Sequence, residues 1–326
     1  MGSNPMRNFL SCLAMGTMIC ASVTWAQGYP NKPVRIVVSY PAGGANDIVA
    51  RSVGQKFGEL LGASVVVDNR SGAGGTIGAD VAAKAPADGY TLLMAAGAHA
   101  LAPSLYVKLP YDINRDFAPI SISAKSTYLL VVHPSVPANS VKELIALARS
   151  RPGGLNFASS GIGAPPHLAG EMFNTLAKVQ MTHVAYKGDT PAIADLLGGH
   201  VDLAFIAVSA TAAHIKAGKL RALAVTSAQR TQVMPELPTI AEAGGLKEFD
   251  ISTWWGLMAP TGTPPDVVTK LSAAMARIAG LPEIKSRFGE LGVEAVASTP
   301  DQFAAFIKAE VQKFAKLAKL AGIKPE

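Results

Sequence analysis

The sequence predicts an α/β fold with parallel, doubly wound sheets. Three observations carry that expectation. Short β-branched runs alternate with helical patterns along most of the chain, and such alternation places crossover helices on a parallel sheet. The 31 glycines and 22 prolines are spread out rather than clustered, which calls for many tight turns between short elements. At 326 residues, 49% hydrophobic and 16% charged, the chain can bury a large core and form about two domains.

The elements follow in order. Val34–Tyr40 (VRIVVSY), between Pro33 and Pro41, reads as a buried strand, and Asp47–Leu61 as a helix. Ser64–Asp68 is a strand, Thr76–Ala85 a helix and Tyr90–Met94 extended. Further strands are expected at Tyr128–His133, Leu155–Ala158, His183–Tyr186, Leu203–Ile206 and Ala222–Thr226. Between them lie helices near Ser140–Ser150, His167–Ala177, Pro191–Leu197 and Ala210–Ala217. Ser140 with Glu143, Thr263 with Asp266 and Thr299 with Gln302 have the spacing of capping boxes. In the last helix Phe303, Phe306, Ile307, Val311 and Phe314 share one face. Lys308, Lys313, Lys316 and Lys319 fall mainly on the others and read as a solvated face.

Met1–Ala26 has the form of an export signal: one charge at Arg7, an apolar stretch over Phe9–Val23, and small residues at Thr24 and Ala26. Cleavage is expected near Ala26, leaving a periplasmic, membrane-free chain without cysteine, since Cys12 and Cys20 both lie in the signal. Zinc-thiolate and cysteine-nucleophile chemistry then drop out. The net charge of +6 is scattered, with no basic run, so no nucleic-acid partner is expected.

Catalytic and cofactor motifs are absent. There is no P-loop, Gly72, Gly74 and Gly78 miss the dinucleotide fingerprint by one position, and no G-x-S-x-G surrounds Ser159-Ser160-Gly161. The six histidines form no metal signature, and His167 with Glu171 reads as a structural pair. No metal, no cofactor and no enzymatic activity are expected. What remains are three glycine-rich turns between a strand end and a helix start: Tyr40–Asp47, Ala158–His167 and Tyr186–Pro191. In open α/β sheets such turns sit where ligands bind, and an uncapped helix start attracts a carboxylate or phosphate. Taken singly, each turn reads more readily as an ordinary βα connection; the three together point to an anion-binding cleft.

From Tyr29 to Lys324 the chain resembles the substrate-binding proteins of tripartite tricarboxylate transporters, the Bug family. The stretches YPNKPVRIVVSYPAGGANDIVAR, HVAYKGDTPAIADLLGGHVDLAF and WWGLMAPTGTPPDVV carry the likeness. The resemblance implies a two-lobed (type II-like) periplasmic binding protein, monomeric, each lobe a sheet flanked by helices with the ligand cleft between. One lobe would be residues 27–126 plus 252–326 and the other 127–251, with crossovers near Tyr128–Val132 and Thr253–Met258. It implies capture of a small organic carboxylate and delivery to the transporter's membrane components. It places ligand contacts at Tyr40, Ala42, Gly43, Gly44 and Asp47 in the first turn, and at Ser159, Ser160, Gly161, His167, Lys187 and Gly188 in the second lobe. For Asp47 a helix-dipole role stands beside the ligand role, and for Lys187 a solvated lysine. Ala96, Ala98, Ile206 and Ala207 stand where relatives often carry polar groups, which points to an apolar ligand body, aromatic or aliphatic. An exported signalling sensor and, more remotely, an exported hydrolase remain as other readings.

Overall fold

The structure is a computed structural model, and its described residues are 28–325. The expected signal segment and its cleavage site therefore lie outside the described residues. In chain order the elements are β1 (Val34–Val38), α1 (Ala45–Leu61), β2 (Val65–Asn69), α2 (Thr76–Ala83), β3 (Thr91–Ala96), α3 (Gly97–Leu101) and the long β4 (Phe117–Val132). Then come α4 (Val141–Ser150), β5 (Asn156–Ser159), α5 (Pro165–Ala177), β6 (Thr182–Ala185), α6 (Asp189–Leu197), β7 (Leu203–Ala207), α7 (Val208–Lys216) and β8 (Arg221–Val225). The chain ends with α8 (Ile240–Gly244), β9 (Ser252–Pro260), α9 (Pro265–Gly280), α10 (Pro282–Glu290), β10 (Val293–Ala295) and α11 (Pro300–Leu320).

The strands form two sets joined through β4, in the order β2-β1-β3-β9-β4-β7-β5-β6. The first three are parallel, with Ile36 opposite Val67 and Leu92, and β9 closes the set antiparallel to β3. The second set has β6, β5 and β7 parallel. Residues Phe117–Thr127 of β4 pair with β9, and Tyr128–Val132 pair with β7 and β8, all antiparallel. The sheets are thus mixed rather than wholly parallel, which corrects the expectation. The alternation of β and α shows crossover units, but gives no sign of one strand leaving one sheet and entering another.

The first half of β4 and all of β10 escape a sequence reading. The run FAPISISAKST is broken by Pro119 and by serines, yet Ser121 and Ser123 are buried. Its ladder with β9 shifts register twice, at Pro119/Ser121 and at Ile122/Ala124, so no simple period-2 pattern survives.

Side chains alternate across the first sheet as a twofold period demands. Ile36 and Val38 enter a cluster with Val53, Phe57, Leu271 and Met275, while Val37 joins Leu93, Met258, Phe303 and Phe314 on the opposite face. The second cluster continues without a break into Phe157, Phe173, Leu203 and Phe205, so one core runs under both strand sets.

Of the three expected capping boxes one forms in full, at Thr299, and one in half, at Ser140, where the Glu143 carboxylate accepts from the Asn139 N–H instead. The Ser140 hydroxyl accepts from the Glu143 N–H at 3.2 Å, and Thr299 and Gln302 bond reciprocally at 3.0 and 3.2 Å. The third does not: Thr263 donates to the Pro260 carbonyl at 2.8 Å and α9 starts two residues later. Proline at 264 fixes an extended entry and leaves no N–H for a reciprocal bond. On α11, Lys313 departs from the solvated face. It is mostly buried, paired with Glu310 and with Asp250 at 3.1 Å. Among the described residues no helix is long and apolar enough to cross a membrane.

Candidate functional site

The first turn is built from β1 outward. Asp47, in the first turn of α1, is buried, and its Oδ2 accepts from the Gly43 N–H and from Arg51 Nε, both at 2.9 Å. Its Oδ1 accepts from Asn69 Nδ2 at 3.0 Å. Burial works against the charge, but the bonds from Arg51, Gly43 and Asn69 outweigh it and hold the carboxyl below its usual range. Asp47 therefore has neither oxygen idle; its role here is to hold the turn. Gly43 sits at φ +85°, where glycine is needed, whereas Gly44 is extended at φ −78° and caps α1 without a side-chain bond. Ala42, Gly43 and Gly44 are exposed. Asn46 Oδ1 accepts from Trp255 Nε1 at 2.7 Å, tying the turn to β9.

Beneath it, His99 is buried, with Nδ1 accepting from the Ala96 N–H at 2.9 Å and Nε2 3.1 Å from Ser39 Oγ. Burial pulls its pKa down to about 4, so the imidazole is neutral near pH 7. Tyr40 meets the His99 ring edge-on at 5.9 Å and donates to the Gly74 carbonyl at 3.3 Å. Burial, with Tyr106 nearby, pushes its hydroxyl up to about 12.

Gly74 belongs to a turn that the sequence reading set aside. Residues 72–75 all have positive φ. A Cβ at Gly74 would lie 2.6 Å from the Tyr106 hydroxyl, and one at Gly75 would lie 2.8 Å from that of Tyr40. Its signal was present: a glycine run between a strand and a helix start, the placement that singled out the other three turns.

The second and third turns form one unit. The Tyr186 N–H donates to the Ser159 carbonyl at 3.0 Å, and the Gly188 N–H to that of Ser160 at 3.1 Å. Ser159 is 1% exposed; its Oγ lies 2.6 Å from His183 Nε2 and accepts from the Gly161 N–H at 3.2 Å. His183 stacks on His167 at 4.0 Å, and His167 Nδ1 accepts from the Gly163 N–H at 3.1 Å. Burial lowers both imidazoles, His183 to about 4 with His167 adding to the effect. His167 Nε2 and Glu171 Oε1 lie 3.9 Å apart, beyond hydrogen-bond reach. His167 and Ser159 thus shape the turn from inside, while Ser160 and Gly161 are half-buried and Lys187 is exposed.

Two of the expected apolar wall residues lie elsewhere. Ile206 is packed with Leu129, Leu196 and Val225, and Ala96 lies at 5% exposure among Met94, Trp255 and Leu257. Strand alternation turns both side chains into the core, which the sequence pattern could not orient. Ala98 and Ala207 remain half-buried at helix starts.

The crossing strands link the two groups of turns. Thr253 on β9 lies beside Gly97, 3.9 Å from where its Cβ would stand, and bonds Tyr128 on β4. Burial and the nearby Asp189, first residue of α6, push the Tyr128 hydroxyl above the ordinary phenol range. No group of three or more metal-ligating side chains occurs among the described residues.

Two lobes joined through β4, each with glycine turns at the carboxyl ends of its parallel strands, define the periplasmic binding protein class. Comparison then gives the family: residues 49–323 match the profile of the "Tripartite tricarboxylate transporter family receptor", and the chain belongs to that family. Protein BugT of Bordetella pertussis is 38% identical over 301 residues, covering 92% of each chain. The R. palustris protein Rpa4515, solved with adipate, is 37% identical with a TM-score of 0.75, covering 91% of this chain and all of that one. MatC from Rhodopseudomonas palustris, solved with bound malate, is 31% identical with a TM-score of 0.70, covering 89% and 99%.

Proposed function

We propose that this protein is a periplasmic receptor that captures a small organic carboxylate and delivers it to the membrane components of a tripartite tricarboxylate-type transporter. The observation that carries the reading is the uncapped start of α1 at exposed Gly44, tensioned by buried Asp47, in a family whose relatives were solved with adipate and malate. An uncapped helix start offers N–H donors and a favourable dipole to an anion, directly or through bridging water. The lobes are taken as residues 27–126 with 252–326, and 127–251. The ligand's carboxylate would meet Ala42–Gly44, with Ser160, Gly161 and Gly188 reaching it from the second lobe. Ala98 and Ala207 are the wall positions left for an apolar body, a narrower basis for an aromatic ligand than four residues would be. Binding without turnover fits the Ser159–His183 contact, because that hydroxyl is buried and already bonded within its own turn.

Calorimetry across mono-, di- and aromatic carboxylates tests the proposal, with Gly44→Val beside the wild type. Gly44 has a backbone any residue adopts, and its added Cβ would stand 3.7 Å from the Pro41 carbonyl, so the variant should fold. At least one acid should bind the wild type and be lost in the variant. Equal affinity in both would move the site away from this turn.

A further inference from the structure

We propose that Glu294 is a latch behind the hinge that opposes further closure of the lobes and so sets carboxylate affinity from outside the cleft; this rests on the receptor reading above. Successive residues of a strand face opposite sides. On β4, Tyr128 faces Thr253 and Asp189, on the side of the turns. Its neighbour Thr127 faces the other way, accepting from the Ser227 N–H at 3.1 Å and lying 3.2 Å from Thr226 Oγ1. On β9, Thr253 meets Tyr128 on that side, while Ser252 lines a cavity of about 300 Å³ together with Lys125, Ser126, Thr127 and residues 227–231. The turns are therefore in front of the crossing strands and this cavity is behind them.

The Glu294 carboxylate, on β10, spans the rear. It accepts from the hydroxyl of buried Thr231 and, at 2.6 Å, from the Gln232 N–H, both in the loop after β8. One partner belongs to the first lobe and the other to the second. Rotation about the crossing strands that brings the front turns together must part groups held together behind. These bonds then favour the conformation described here over one closed further at the front, and a ligand that needs the further-closed form binds against them.

Thr231→Val and Glu294→Ala test this without touching the turns, with adipate as the probe. Each should bind adipate about two- to tenfold more tightly than wild type, the equivalent of one net hydrogen bond removed from the less closed form. Spin labels placed one on each lobe should show, without ligand, a short-distance population larger than in wild type. Unchanged or weaker binding together with an unchanged distance distribution, in a Thr231→Val protein that melts like wild type, overturns the latch. If wild type binds neither adipate nor malate, the receptor reading fails for those acids, and the ligand-free distances alone decide the latch.

Discussion

Asp47 shows how a residue can matter to a binding turn without presenting itself to the ligand. Its two oxygens take three bonds, one of them from Gly43, the residue on which the turn pivots. Asp47→Asn preserves volume but replaces one acceptor with a donor facing other donors. We expect a loss of about 1–3 kcal/mol in stability and weaker carboxylate binding, read by melting and calorimetry. Wild-type values in both assays would show that the turn holds itself. The buried histidines lead to a second outcome. His99 and His183 titrate near pH 4 in the fold against 6.5 unfolded. The unfolded chain therefore binds more protons between those values. The stability this represents is complete above pH 6.5 and declines as the pH falls toward 4. For fully buried His99 that amounts to about 3 kcal/mol as an upper figure. Urea midpoints measured from pH 7.5 to 4.5 should fall, and a level series would contradict the neutral-imidazole assignment.

At the scale of elements, the approach of α5 to β5 organises the second lobe's turns. Gly170 faces the Phe157 ring so closely that a Cβ there would lie 2.1 Å from it. The helix thereby sits low on the sheet, Phe157 stacks on His183 at 4.9 Å, and His183 on His167. Gly170→Ala would force the ring aside and lift the helix, costing about 1–3 kcal/mol despite alanine's better helix propensity. A melting temperature at or above wild type would mean the ring can swing away freely. The absent capping box at Thr263 belongs to the same scale: spacing proposed it, and the proline between Thr263 and the helix prevented it.

Across the whole molecule, β4 decides the behaviour. Its first eleven residues belong to one sheet and its last five to the other, so the lobes share a strand. β9 returns alongside it from Ser252, opposite Thr127. One shared strand, with the chain returning to the first sheet where β9 begins, permits bending and restricts sliding, the geometry of hinge closure. Saturation with the best-binding carboxylate should reduce the radius of gyration. Scattering curves that superimpose with and without it would argue against closure.

The residues that local chemistry governs were readable in order: β-branched runs between prolines, the caps at Ser140 and Thr299, and glycine turns at strand ends. Each depends on neighbours within a few positions, so the chain itself supplies the cause. The likeness of long stretches to a transporter receptor family was legible for the same reason, as an ordered series of such local signals. Which way a side chain points was not. Ile206 and Ala96 face the core, and Lys313 meets Asp250, because strands and helices far apart in sequence choose the faces that are buried. The span of β4 was hidden likewise, since its ladder to β9 joins residues more than a hundred positions apart across two register shifts. Twofold periodicity assigns residues to two faces; only packing decides which face meets the core and which meets the cleft.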